Sequence, residues 1–126
     1  MSVDIESLVE QVIGAAIEVH RHFGAGFQEL TYQRALAVEL NLRGLPFEQE
    51  VPVQLRYKQE VVGAGRIDLL IGHRLVVELK ACEGKPERFR RQVVSYLKAM
   101  DLPLGLVINF NCELLKDGLA RVSNTS

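Results

Sequence analysis

Apolar residues recur at helical spacing through the first third of the chain, then alternate or cluster through the middle. The pattern therefore predicts helices first and strands after. Ile5, Leu8, Val9, Val12, Ile13, Ala16 and Ile17 predict a first helix over residues 3–22, with Ser2 or Asp4 as its cap and Gly24-Ala25-Gly26 as its end. Tyr32, Leu36 and Leu40 line the inner face of a second helix over residues 27–43, capped by Gly44 with Pro46 just beyond. Residues 47–57 alternate, placing Val51, Val53, Leu55 and Tyr57 on one side, and Pro52 suits an edge strand. Lys58-Gln59-Glu60 reads as a hairpin turn returning through Val61-Val62, and Gly63 and Gly65 allow a bend or bulge. A third helix opens at Pro86 and runs to Met100, burying Phe89, Val93, Tyr96, Leu97 and Met100. LGLVINF, residues 104–110, suits a buried strand, and Asp117-Gly118 precedes a last short strand.

The stretch that organises this pattern is residues 66–81, RIDLLIGHRLVVELKA, two apolar strands around a turn at Gly72 and His73. Asp68 interrupts the first strand, Glu78 and Lys80 the second. Glu78 and Lys80 share a face because strand side chains alternate. A two-residue turn pairs Asp68 with Val77 and sends Glu78 to the other side. A three-residue loop, Gly72–Arg74, sets Asp68 opposite Glu78 on one face. Two buried carboxylates with one lysine leave uncompensated negative charge, which Mg²⁺ resolves with one or two carboxylates plus water. The plainer alternative is a salt bridge at a strand end.

The predicted order is helix, helix, three strands, helix, strand. The helix between the third strand and residue 104 permits those two strands to pair in parallel, giving a mixed α/β sheet with helices against it. Glu29, Asp68, Glu78, Lys80 and Gln92 can then converge at one end of the sheet. Each has an ordinary reading as well. Glu29 suits the positive end of a helix dipole, and His20 near a helix C-terminus is commonly structural. Gln92 and Tyr96 are neighbours on a helix surface. Arg88, Arg91, Ser95 and Lys98 trace a basic stripe that is either a solvated face or a row of phosphate contacts.

Composition narrows the field. With 126 residues, 48% hydrophobic and 25% charged, the chain suits one globular domain without disulfides. It has no apolar run long enough for a bilayer and no secretory leader. Cys82 and Cys112 are isolated, which fits a reduced cytoplasmic setting and suggests neither zinc nor a disulfide framework. A net charge of −1 argues against strong general affinity for nucleic acid but leaves room for a local basic patch.

GFQELTY at residues 26–32, RID at 66–68, VELKA at 77–81 and QVVSYLKA at 92–99, in this order and spacing, resemble the small bacterial GxxExxY proteins of the PD-(D/E)xK nuclease superfamily. Gln92 and Tyr96 also resemble the QxxxY element of RecB-like nucleases. The resemblance implies a restriction-endonuclease-like core and metal-dependent hydrolysis of phosphodiester bonds, with Mg²⁺ or Mn²⁺ as cofactor. It implies that Asp68, Glu78 and the Leu79 carbonyl ligate the metal and that Lys80 handles the attacking water. Glu29 would complete the acidic cluster, Gln92 and Tyr96 would support the site or the substrate backbone, and His20 would reach the same cluster. Arg88, Arg91 and Lys98 would bind nucleic acid, DNA before RNA. The chain departs from the pattern at Phe89-Arg90-Arg91, where a histidine-containing lead is expected. With no separate recognition module, selective cutting would require a homodimer or a partner that delivers substrate. The other reading is a non-cleaving nucleic-acid- or protein-binding module on the same fold.

Overall fold

The computed structural model describes residues 4–124; Ser2 and Val3, named above as cap and helix start, lie outside them. The first helix, α1, spans Ile5–Phe23 and α2 spans Glu29–Leu42. Strands β1 (Phe47–Tyr57), β2 (Glu60–Ile71) and β3 (Leu75–Lys80) follow. A 3-10 turn at Pro86–Phe89 leads into α3 (Arg90–Met100), then β4 (Leu104–Asn109), a second 3-10 turn at Leu115–Gly118 and β5 (Leu119–Ser123).

Asp4 starts α1 because its carboxylate accepts the backbone N–H groups of Glu6 (2.7 Å) and Ser7 (3.3 Å), which the first turn leaves unpaired. The second helix begins later than the pattern predicts because residues 27 and 28 belong to a closed loop. The Tyr32 hydroxyl donates to the Gly24 carbonyl and accepts from the Phe27 N–H, and its ring stacks on Phe110 with centroids 4.3 Å apart. The tyrosine thereby clamps the α1–α2 connection onto the sheet. Pro86 opens the third helical segment as expected, but as a 3-10 turn that becomes α-helical at Arg90.

The sheet runs β1-β2-β3-β4-β5. Pairing is antiparallel except between β3 and β4, which are parallel with Leu75 opposite Leu104 and Lys80 opposite Asn109. The parallel pair follows from the α3 crossover, as the helix between them allows. Pro52 sits on β1, an edge strand, opposite Arg66, as the sequence pattern expects. Helices α1 and α2 cover one face over Leu69, Ile71, Val77, Leu79, Leu106 and Ile108. Helix α3 covers the other over Val53, Ile67, Leu70, Val76 and Val107. Ile67 and Leu69, two apart on β2, thus belong to opposite cores, so strict alternation slips at the residue between them, Asp68. Across from it on β1, Glu50 takes a left-handed φ of 54°. The strand is distorted where the acid sits.

Candidate active site

The β2–β3 connection decides how the acids meet. Leu69 pairs with Val77 and Ile71 with Leu75, so the loop is the three residues Gly72, His73 and Arg74. Gly72 and His73 both have φ of 58°, and the Arg74 N–H closes the turn on the Ile71 carbonyl at 3.0 Å. Extending that register sets Asp68 opposite Glu78. The β2–β3 ladder stops at Leu69, and the next bond comes from a side chain: Asp68 Oδ2 accepts the Leu79 N–H at 2.8 Å. The strands part here, and the carboxylate occupies the gap.

Asp68 and Glu78 are each only 3% exposed. Burial lifts both carboxyls above their ordinary range. For Asp68 the Leu79 N–H, Lys80 and Arg66 oppose the rise. For Glu78 burial and the neighbouring Asp68 charge dominate, and its carboxyl is pushed up to about 8. Glu78 Oε2 lies 3.7 Å from Lys80 Nζ, while Glu78 Oε1 is buried with no hydrogen-bond partner. One lysine at that distance does not compensate two buried acids. Glu29, in the first turn of α2, is half-buried, and burial followed by the Asp68 charge raises it too. Among the described residues no three His, Cys, Asp or Glu side chains gather closely enough to hold a metal together. Glu29 therefore acts on the pair through its field.

Lys80 is held from a second direction. Its ammonium lies 4.7 Å from the centre of the Phe89 ring, and the Arg88 guanidinium lies 5.4 Å from the same ring. Arg88 also donates to the Glu83 carbonyl at 3.1 Å, tying it to the β3–α3 loop. Gln92 Nε2 donates to the Tyr96 hydroxyl at 3.2 Å, and the Tyr96 ring fills the space above Gly65, where a Cβ would lie 2.5 Å from Cε1. Arg91 and Lys98 are exposed on α3. The contacts of His20 are with Cys112 and Phe110: its Nε2 lies 2.9 Å from the Cys112 carbonyl and its ring 6.3 Å from Phe110. The charges acting on the two acids come from Lys80, Arg66, Glu29 and each other.

The chain that carries this hairpin, with Asp68 on its first strand and Glu78-x-Lys80 on its second, matches the family model of the PD-(D/E)XK nuclease superfamily over residues 6–122. The chain belongs to that superfamily. No curated protein and no solved structure matches it. Membership carries a nuclease-type function, a nucleic-acid substrate and, as these nucleases generally do, use of a divalent metal. Among the described residues no helix is long and apolar enough to cross a membrane.

The residues of this PD-(D/E)XK site fit such a cation. A buried carboxylate oxygen without a donor, beside a second buried carboxylate, is the donor set that hard divalent ions take, with water supplying the rest. Three contributors escape a reading of the sequence. Asn109, 1% exposed, has its side-chain amide on the carbonyls of Cys82 (2.8 Å) and Gly84 (3.0 Å) and accepts from the N–H of Cys82 (3.3 Å) and Asn111 (3.1 Å). It pins the loop that follows Lys80. Its one signal is a polar residue inside an apolar strand. Phe89 props Lys80, and Gly65 admits Tyr96; neither carries a signal before the partners are known.

Proposed function

We propose that this protein is a nuclease that hydrolyses phosphodiester bonds in DNA with Mg²⁺ or Mn²⁺ bound at Asp68, Glu78 and the Leu79 carbonyl. The observation that carries the reading is the buried, donorless Glu78 Oε1 beside Asp68. A fold of this size gains nothing in stability from a buried carboxylate oxygen without a partner beside a second buried acid, whereas a cation site uses both. A divalent ion there supplies acidification of water and offsets charge developing on the phosphoryl oxygens. The chain's own groups do the rest. The Lys80 ammonium, steadied by Glu78 and the Phe89 ring, orients the attacking water and meets the negative phosphate. Glu29 keeps the mouth of the site acidic, so that a cation is favoured over a second lysine. Gln92 and Tyr96 form one hydrogen-bonded unit that supports the substrate backbone, and Arg88, Arg91 and Lys98 add phosphate contacts along α3. The Cys112 carbonyl already engages His20, which favours a bracing role over a direct one.

The motif order Gly26, Glu29, Tyr32 supports placement among the GxxExxY proteins, and Gln92 with Tyr96 supports a RecB-like element. The whole chain then acts as one nuclease domain in the cytoplasm, where free Cys82 and Cys112 stay reduced, and a second copy or a partner confers selectivity. Cleavage of labelled DNA and RNA with Mg²⁺, Mn²⁺ or chelator tests the reading. Metal-dependent cutting should fall about 10²–10⁴-fold in Lys80→Ala and in Asp68→Ala. Cutting by both variants at the wild-type rate would sink the assignment. No cutting and no metal binding by the wild type would favour a binding module on the same fold.

A further inference from the structure

Strands β1 and β2 outrun the rest of the sheet. Their ladder extends from Phe47 opposite Ile71 to Tyr57 opposite Glu60, whereas the pairing of β2 with β3 covers Leu69, Leu70 and Ile71. Because β2 runs antiparallel to β3, its unpaired part extends past Lys80, off the same end of the sheet as the two acids. Helix α3 braces the base of this ribbon, with Val53 buried and Tyr96 over Gly65. Farther out, every residue from 56 to 62 is exposed. Eight steps of about 3.3 Å separate Asp68 from Glu60, so the tip stands roughly 26 Å from the acids.

Three features of the tip do nothing for the fold. Tyr57, Val61 and Val62 are 63%, 51% and 67% exposed, with no core against them. The register slips between Leu55 and Arg56, leaving Val62 unpaired in a bulge, a device that re-aims side chains beside active sites. Lys58 and Gln59 form the turn with φ of 49° and 72°, a conformation that Asn-Gly adopts easily and that strains residues with longer side chains. The chain thus keeps a long cation and a long amide at a strained position, as functional tips do. Arg56 lies beside them, exposed, its guanidinium on Gln54 and the Gln59 carbonyl.

The geometry points to residues 54–64 as an arm that enters the major groove of double-stranded DNA whose backbone lies at the acids; this rests on the nuclease reading above. A two-stranded ribbon fits the B-form major groove, about 12 Å wide, and is excluded from the deep, narrow groove of A-form RNA. The side chains suit the occupant. Arg56 and Lys58 meet phosphates and outnumber the one acid of the arm, Glu60; Gln59 presents an amide suited to adenine, and Tyr57 and Val62 offer apolar surface to thymine methyl groups.

Anisotropy of a short labelled DNA duplex in chelator, across a salt series, tests the arm in the full chain. The double variant R56Q/K58Q should weaken binding about tenfold and flatten the salt slope by close to two contacts. K58N/Q59G should weaken binding while leaving Tm equal or raised, since it relieves the turn, so misfolding cannot explain the loss. Unchanged duplex binding in both variants, with metal-dependent cutting by the wild type intact, would overturn the arm and spare the nuclease reading. Equal losses on duplex RNA and single strands would also overturn the groove assignment, as would a change in oligomeric state in place of a change in binding. A wild type that neither binds nor cuts nucleic acid removes both readings together.

Discussion

Glu78 bears the sharpest consequence at the level of single residues. Its carboxyl is held at about 8 against an ordinary 4.5, so the folded protein without metal binds a proton that the unfolded chain releases in between. Raised folded affinity for protons means stability fully present below pH 4.5 and lost as pH climbs to about 8. The slope in that window reaches at most about 1.4 kcal/mol per pH unit for one such group. Urea denaturation in chelator should therefore show the wild type weakening between about pH 6 and about pH 8, and Glu78→Gln, which has no proton to lose there, should weaken much less. A slope of wild-type size in Glu78→Gln would move the titration to Asp68 or Glu29, whose carboxyls burial also raises. These acids were legible in the sequence as interruptions of apolar strands, but their meeting depended on one loop residue. Asn109 and Tyr32 were less so, because their partners at Cys82, Gly84, Gly24 and Phe110 are set by the sheet and not by neighbours along the chain.

Between elements, the seam of α3 with the ribbon controls the site's outer wall. Gly65 is the contact point: a methyl there meets the Tyr96 ring at 2.5 Å. Gly65→Ala should lower stability by about 1–3 kcal/mol through overpacking, read as a fall in the urea midpoint. The same substitution in a Tyr96→Leu background should cost less than in the wild type, the mark of a shared contact. Additive losses would mean that the ring yields freely. Helical spacing, Pro86 and the alternation of residues 47–57 revealed the elements well, since each rests on local chemistry. What they hid was that β2 continues unbroken from Glu60 through two glycines, and that it parts from β3 at Asp68. Both depend on a helix that arrives later in the chain.

For the molecule as a whole, the proposed cation site would exchange stability for affinity. Adding Mg²⁺ at about a hundred times its Kd should raise stability by about 2.7 kcal/mol, a shift in Tm that Asp68→Asn abolishes. A wild-type Tm indifferent to Mg²⁺ and Mn²⁺ would argue against the site. The mixed sheet was foreseeable from element order, because a helix between strands permits parallel pairing, whereas the sharing of that sheet by two separate cores was not. One distant contact has a further use. Arg121 of β5 pairs with Glu6 in the first turn of α1, so the two ends of the described chain lie side by side. Covalent linkage there and a new break between Lys58 and Gln59 would give a circular permutant with every strand still beside its neighbour. Asp68, Glu78 and Lys80 would remain together on one uninterrupted segment. Such a permutant should fold and keep the Mg²⁺-induced rise in Tm, and it would turn the ribbon tip into a pair of free ends to which other groups can be attached.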